Sequence, residues 1–548
     1  MTTGMSADFQ DVQSRLLAEI GAAVAASDMQ RAFELANLLA TRGFAHPTVF
    51  NARGLWLQQT GRYEEALKEF QLALSMSPGN ATILNAIGLC LFKLDQFPEA
   101  VEVFDAALAI APDIPHTHYR KGLALAGSGD HDAAQVAHER AVELNPNFPE
   151  PLASLASILA RKGQAEEARA LADHALALKP LDPTALVALA IIDLGEKKYV
   201  EAEEGLRSLL EMKQLGWQLR TAVLGLLGDA LDGQKRYSEA FAIYAQENDE
   251  LLREHANRLL ENHAMEAANH LIDYFEQTTA ERWRAPDDGG SIPGGPVEHV
   301  FLLGFLRSGT TLLEQVLASN PKVVALEEKG LLNGLGDRYL TSIPALDSLA
   351  AMKGRELEQN RQVYWGRIRH SGLDVAGKVF VDKQPLNTVK LPLIAKLFPK
   401  AKILFALRDP RDVVFSCFRR HFRVNMMMYT FLQLEDSARF YAAIMRLAEI
   451  YRQKLPLNMF VHRYEDMVQD FDARIRAVCE FMGVEWDDSM RNFNKYAPAV
   501  DLRSPSATQV RKPLYSEAIA QWRRYSDQLA PILPILRPWA EKFGYPPD

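Results

Sequence analysis

The chain has 548 residues, more than one ordinary domain holds. Hydrophobic residues make up 48% and charged residues 24%, a soluble globular balance, and the formal net charge of −9 gives no overall basic character to suit nucleic acid. Cys90, Cys417 and Cys479 lie far apart without C-x-x-C spacing, which excludes a disulfide framework or a cysteine zinc site and fits a reducing compartment.

Met1 to Gln30 has polar and acidic residues spread through it, so no signal peptide is expected. No run approaches the roughly 18 apolar residues of a membrane span, and the expected location is cytoplasmic. The chain then repeats itself. Gly54, Gly88, Gly122 and Ala156 are spaced by 34, as are Ala66, Ala100, Ala134, Ala168 and Ala202. Pro78, Pro112, Pro146 and Pro180 keep that period, and so do Tyr63, Phe97, His131, Ala165 and Tyr199. Small residues let paired helices approach, the aromatic fills the gap, and the proline ends the second helix. Ala32 starts the series one period early, and Tyr237 and Ala240 resume it after a slip of four residues. The period resembles the tetratricopeptide repeat, which implies an α-solenoid over 12–247. Its concave groove is expected to hold a protein or peptide. His116, His118, His131 and His138 fall at scattered phases of the repeat, so no metal site is expected there.

Residues 248–283 read as helical, and the Gly/Pro/Asp-rich run from Arg284 to Pro296 reads as a linker, so 248–296 forms a connector. From 297 to 548 the pattern is α/β. Strands are predicted at 298–304, 322–326, 377–382, 401–407 and 457–463. Helices are predicted at 310–320, 355–371, 388–397, 411–420, 435–454 and 464–482. Alternating apolar strands and amphipathic helices predict a P-loop-like α/β domain with a mostly parallel sheet, binding its ligand at the carboxyl ends of the strands.

Two segments carry chemistry. In Gly304-Phe305-Leu306-Arg307-Ser308-Gly309-Thr310-Thr311 a strand runs into a tight loop and a helix, a geometry that gathers backbone N–H groups around an anion. Thr310 stands where a nucleotide-triphosphate P-loop has its lysine. Val379-Phe380-Val381-Asp382 is a partial match to a magnesium-holding strand end. The second segment runs from Ala401 to Ser416. Arg408 emerges at its strand tip, Pro410 starts a helix, and Ser416 lies about one and a half turns in, so Arg408 and Ser416 can converge on one anion. Asp409 and Asp412 can cap that helix or fix the arginines.

These segments, about 100 residues apart, resemble the sulfotransferases that use 3′-phosphoadenosine 5′-phosphosulfate (PAPS). That family has a P-R-S-G-T-T loop for the 5′-phosphosulfate and an R-D-P-R strand end followed by a serine for the 3′-phosphate. The resemblance covers about 298–545, with Leu306 in place of the proline. It is nearest to the tyrosylprotein sulfotransferase branch, with its Glu-Glu pair and Lys-x-Pro segment, and to bacterial fusions of tetratricopeptide repeats with such a domain. It implies that Arg307, Ser308, Gly309, Thr310 and Thr311 hold the 5′-phosphosulfate and that Arg408 and Ser416 hold the 3′-phosphate. Glu328 matches the general base, with Glu327 as its competitor, and Lys383 matches the lysine facing the sulfuryl group. Tyr464 matches a tyrosine near the adenosine, and Ser506 and Lys512 a loop closing over the nucleotide. Gly330 replaces an arginine that helps hold the acceptor in the tyrosylprotein enzymes.

The implied reaction moves a sulfuryl group to an acceptor hydroxyl, with protein cations stabilising the transferring charge and no metal expected. Arg419-Arg420-His421-Phe422-Arg423 reads as a positive rim drawing in the anionic donor rather than a nucleic-acid patch, with His421 a minor candidate base. Met426-Met427-Met428-Tyr429 reads as an apolar contact on the acceptor side, and Trp522-Arg523-Arg524-Tyr525 as helix packing. A P-loop kinase or NTPase, and a repeat scaffold that only binds nucleotide, are the alternatives.

Overall fold

The computed structural model describes residues 4–213, 215–255, 263–284, 294–420, 426–496 and 518–547. The chain divides into two compact units, Met1–Glu196 and Lys197–Asp548.

The first unit is a run of antiparallel helix pairs, from Gly4–Ala25 with Met29–Thr41 to Pro149–Arg161 with Ala165–Leu178, followed by the helix Pro183–Gly195. The periodic glycines have a packing cause. A Cβ on Gly54 would fall 2.6 Å from the Phe70 ring, one on Gly88 2.6 Å from Phe104, and one on Gly122 2.5 Å from the His138 ring. The ring filling each crossing therefore comes from inside the second helix. Phe97 fills a further gap against Gly127. Ala66, Ala100, Ala134 and Ala168 are fully buried where second helices meet their neighbours. Asn80, Asp130 and Asp182 cap helix N-termini with their side chains. Helices ending at Met76, Ile110, Leu144 and Leu178 stop two residues before the periodic prolines. His138 is buried, and burial pushes its imidazole down to about 4, so it packs as a neutral ring.

The second unit begins with the helices Tyr199–Leu210, Trp217–Gly233, Tyr237–His255 and His263–Gln277. The periodic pattern runs on to residue 247, but packing groups its last helices here. Phe241 stacks on Phe418 with centroids 5.3 Å apart, and Asn248 Nδ2 donates to the Phe418 carbonyl at 2.9 Å. Tyr525 donates to Asp232, and Arg420 meets Asp229 at 3.3 Å.

The sheet has five parallel strands: β1 (Glu298–Gly304), β2 (Val323–Glu327), β3 (Val379–Lys383), β4 (Lys402–Leu407) and β5 (Asn458–Arg463), in the order β2-β3-β1-β4-β5. Side chains alternate between its faces. Val300, Leu302, Val379, Val381, Leu404 and Ala406 join one core with Leu313, Val316 and Leu317 of the helix Thr310–Ala318. On the other side Phe301 and Phe380 pack in an aromatic group with His299, Tyr364, Trp365 and Phe398. Each such side chain contributes about 1.5–3 kcal/mol when fully buried. The helix predicted at 464–482 is two helices, Tyr464–Gln469 and Phe471–Met482, because Asp470 leaves helical geometry and its side chain caps the second through Ala473 N. The short helices Leu335–Tyr339 and Ile343–Ala351 were not legible from periodicity.

Candidate functional site: a cationic loop at the carboxyl ends of the strands

Register brings the motifs together. Gly304 aligns with Ala406, Leu302 and Glu327 both align with Lys383, and Leu407 aligns with Arg463. The loop after β1 begins at Gly304, where φ is 151° and a Cβ would lie 2.5 Å from the Ala406 carbonyl oxygen, so only glycine fits. Arg307 holds a left-handed φ of 65°, a strained conformation for a residue with a side chain. Gly309, at φ 86°, precedes the helix Thr310–Ala318, and the Tyr464 ring lies against it where a Cβ would be 2.6 Å away. Ser308, Thr310 and Thr311 are buried along this turn, at the positive end of the helix dipole.

The second motif closes on the first. Arg307 Nε donates to Ser416 Oγ at 3.0 Å, and Arg408 Nη1 donates to the Arg307 carbonyl at 3.1 Å. The Arg408 guanidinium lies 5.1 Å from the centre of the Tyr464 ring. Its Nη2 donates to the Ala518 carbonyl at 2.5 Å. Asp412 stands 3.9 Å from Arg408 and accepts the N–H groups of Ala520 and Trp522, each at 2.8 Å. Asp409 caps the helix Pro410–Phe418 through Arg411 N and holds the Arg411 guanidinium. Burial, then the charges of Arg420, Arg408 and Arg419, push the Arg307 guanidinium down to about 9.

Lys383, at the end of β3, is wholly buried. Its Nζ donates to Glu328 Oε1 at 2.8 Å, Glu327 Oε1 at 2.9 Å and Thr311 Oγ1 at 3.4 Å. Glu314 Oε2, from one turn further along the Thr310–Ala318 helix, stands 3.4 Å away. Burial alone would lower the ammonium pKa; the facing carboxyl groups of Glu314, Glu328 and Glu327 outweigh it and raise it. Of the two tandem glutamates, Glu328 has its side chain 33% exposed against 11% for Glu327. Glu328 also sits at φ 46°, with its N–H donating to the Lys383 carbonyl at 2.9 Å. The following loop is gripped by Arg367, whose Nη1 donates to the Leu331 and Asn333 carbonyls at 2.6 Å each. Gly330 has φ 58° in this loop.

Ten of the twelve residues singled out in the sequence therefore surround one loop, and Ser506 and Lys512 lie outside the described residues. His421 and Arg423 also lie outside them, while Arg419 and Arg420 reach Asp232 and Asp229. Asp382 faces away from Lys383. It is buried and accepts a 2.8 Å hydrogen bond from Tyr364 OH, which is itself 2.9 Å from His299 Nε2. Glu314 was missed. Its signal was a lone carboxylate three residues past Thr311, the one charged residue of that helix.

Residues 299–488 match the Sulfotransferase family, and 57–126 and 125–189 match the Tetratricopeptide repeat. The chain thus joins tetratricopeptide repeats to a sulfotransferase-family domain with a five-stranded parallel sheet. An uncharacterized protein of Aquifex aeolicus is 27% identical over 363 residues, 62% of this chain, and the chain spans 44% of that relative's length. Protein-tyrosine sulfotransferase A of Caenorhabditis elegans is 24% identical over 304 residues, covering 50% of this chain and 72% of that one. A solved tetratricopeptide repeat protein from Parabacteroides merdae, 17% identical, covers 43% of this chain and 92% of its own with a TM-score of 0.35.

Proposed function

We propose that this protein is a sulfotransferase that moves a sulfuryl group from PAPS to an acceptor hydroxyl. The observation that carries the reading is the closure of Arg307, Ser416 and Arg408 into one cationic group beside a helix N-terminus. A donor bearing a 5′-phosphosulfate and a 3′-phosphate has one anion for each half of this group. The loop Arg307 to Thr311 takes the 5′ end, Arg408 and Ser416 the 3′-phosphate, and Tyr464 borders the nucleoside. Ser506 and Lys512, which lie outside the described residues, are assigned to the same donor by the family resemblance.

Sulfuryl transfer builds charge on peripheral and leaving oxygens in a loose in-line transition state, and fixed cations and N–H groups stabilise that charge. Lys383 and Arg307 supply it from opposite sides of the loop. Glu328 takes the acceptor proton: it is the more open of the two tandem carboxylates, and its strained backbone fixes its aim. Glu327 holds Lys383. The acceptor is a hydroxyl on a protein or peptide recruited by the repeats; the curated relatives named as protein-tyrosine sulfotransferases favour this class. The kinase or NTPase reading is disfavoured because Thr310 replaces the phosphate-gripping lysine and Asp382 is engaged by Tyr364 away from the loop.

Calorimetry with 3′-phosphoadenosine 5′-phosphate tests the reading. Arg307→Ala and Arg408→Ala are each expected to weaken binding by about 100-fold, the loss of a charge-assisted contact worth about 1.5–3 kcal/mol. Unchanged affinity in both variants would overturn it.

A further inference from the structure

Lys383 has three N–H donors, and its partners Glu327, Glu328 and Thr311 use all three. Glu314 is left without one. Its Oε2 is buried, 3.4 Å from Nζ, yet makes no hydrogen bond, and the residue is only 3% exposed. A third ionised carboxylate would give this nest a net charge of −2 beside a loop built to accept an anion. An ionised carboxylate in such a site carries a large desolvation cost, which the Lys383 ammonium at 3.4 Å, already shared among three other acceptors, only partly offsets.

We infer that Glu314 is a positioning residue that stays protonated while Glu327 and Glu328 are ionised, keeping Lys383 clamped at Thr311 without adding charge that repels an anionic donor. The inference rests on the proposed donor site for its consequence, but not for its first readout. The groups facing Glu314 are Lys383 from β3, Glu327 at the end of β2 and Glu328 just beyond it; burial first, then the two glutamates, push its carboxyl up to about 8 against the pull of Lys383. Lys383 remains charged throughout, because its own pKa is raised.

The sign follows from linkage. A carboxyl whose folded pKa lies above its unfolded value near 4.3 holds its proton in the folded state, so its contribution is complete below that value and is lost as pH rises to about 8. Glu314→Gln keeps the neutral shape at every pH. The gap in Tm between Glu314→Gln and the parent protein is therefore expected to widen in the variant's favour from pH 5 to 8 and then level off. A flat gap overturns the inference, whatever the donor. In the second readout, affinity for 3′-phosphoadenosine 5′-phosphate in the parent falls about tenfold between pH 7 and 9, as one buried negative charge appears near the ligand, and Glu314→Gln resists that fall. An equal fall in both proteins assigns it to Arg307 and overturns the inference. Absence of nucleotide binding in the parent, with the Tm gap as expected, instead refutes the donor-site reading and supports the assignment of the proton.

Discussion

Arg307 and Ser416 are 109 positions apart in the chain, and their side chains meet at 3.0 Å. The bond joins the loop after β1 to the helix after β4, neighbouring strands in the sheet. Ser416→Ala is expected to cost about 1 kcal/mol of stability, the net worth of one such hydrogen bond. It is also expected to weaken binding of 3′-phosphoadenosine 5′-phosphate about tenfold. Denaturant unfolding and calorimetry measure the two effects.

Gly309 leaves no room for a side chain: φ is 86° and a Cβ would meet the Tyr464 ring at 2.6 Å. Gly309→Ala should destabilise the protein by about 1–3 kcal/mol through backbone strain and displace the ring. Nucleotide affinity should fall more steeply than stability, because the ring borders the proposed site. Gly61 has a similar φ of 78° but open space around it, so Gly61→Ala controls for strain alone.

Removing the Lys383 cation leaves its carboxylates facing one another without a counter-charge. Lys383→Met is expected to cost about 3–5 kcal/mol, the usual penalty for stripping one partner from a buried ionic group. Adding Glu314→Gln and Glu327→Gln should restore a large part of that loss. Urea unfolding of the parent, single and triple variants measures the coupling; additive losses would refute it.

The helix Tyr237–His255 packs on Phe418, the end of the helix Pro410–Phe418, through Phe241 and Asn248, and Asp229 of Trp217–Gly233 pairs with Arg420 just beyond it. A fragment of residues 197–548 is therefore expected to fold and bind nucleotide. A fragment starting at 297 exposes the Phe418 face and is expected to aggregate. Size-exclusion chromatography and calorimetry on the two fragments decide between these outcomes.

Much of this architecture could be read from sequence because its physics is periodic. The 34-residue spacing reflects a close approach repeated at each helix crossing, and five apolar runs became five strands within two residues at each end. The loop and Arg408 were legible because phosphate chemistry demands glycines, hydroxyls and arginines at strand tips. Periodicity says nothing about where a solenoid stops packing like one, so the division at Glu196 came only from the fold. Nor does it reveal Glu314, whose meaning depends on Lys383 arriving from a strand some 70 residues later. Asp470 carried a capping signal, but the helical pattern on both sides masked it.

Arg367 grips the loop after Glu328 by the carbonyl oxygens of Leu331 and Asn333, not by their side chains. The chain's path there is thus indifferent to much of its own spelling. Lys329, which is exposed, is replaceable without releasing the glutamate that precedes it, whereas Leu331 is buried and anchors the loop. Sequence change at the exposed positions of this loop can therefore alter the surface beside the proposed site while Glu328 keeps its place.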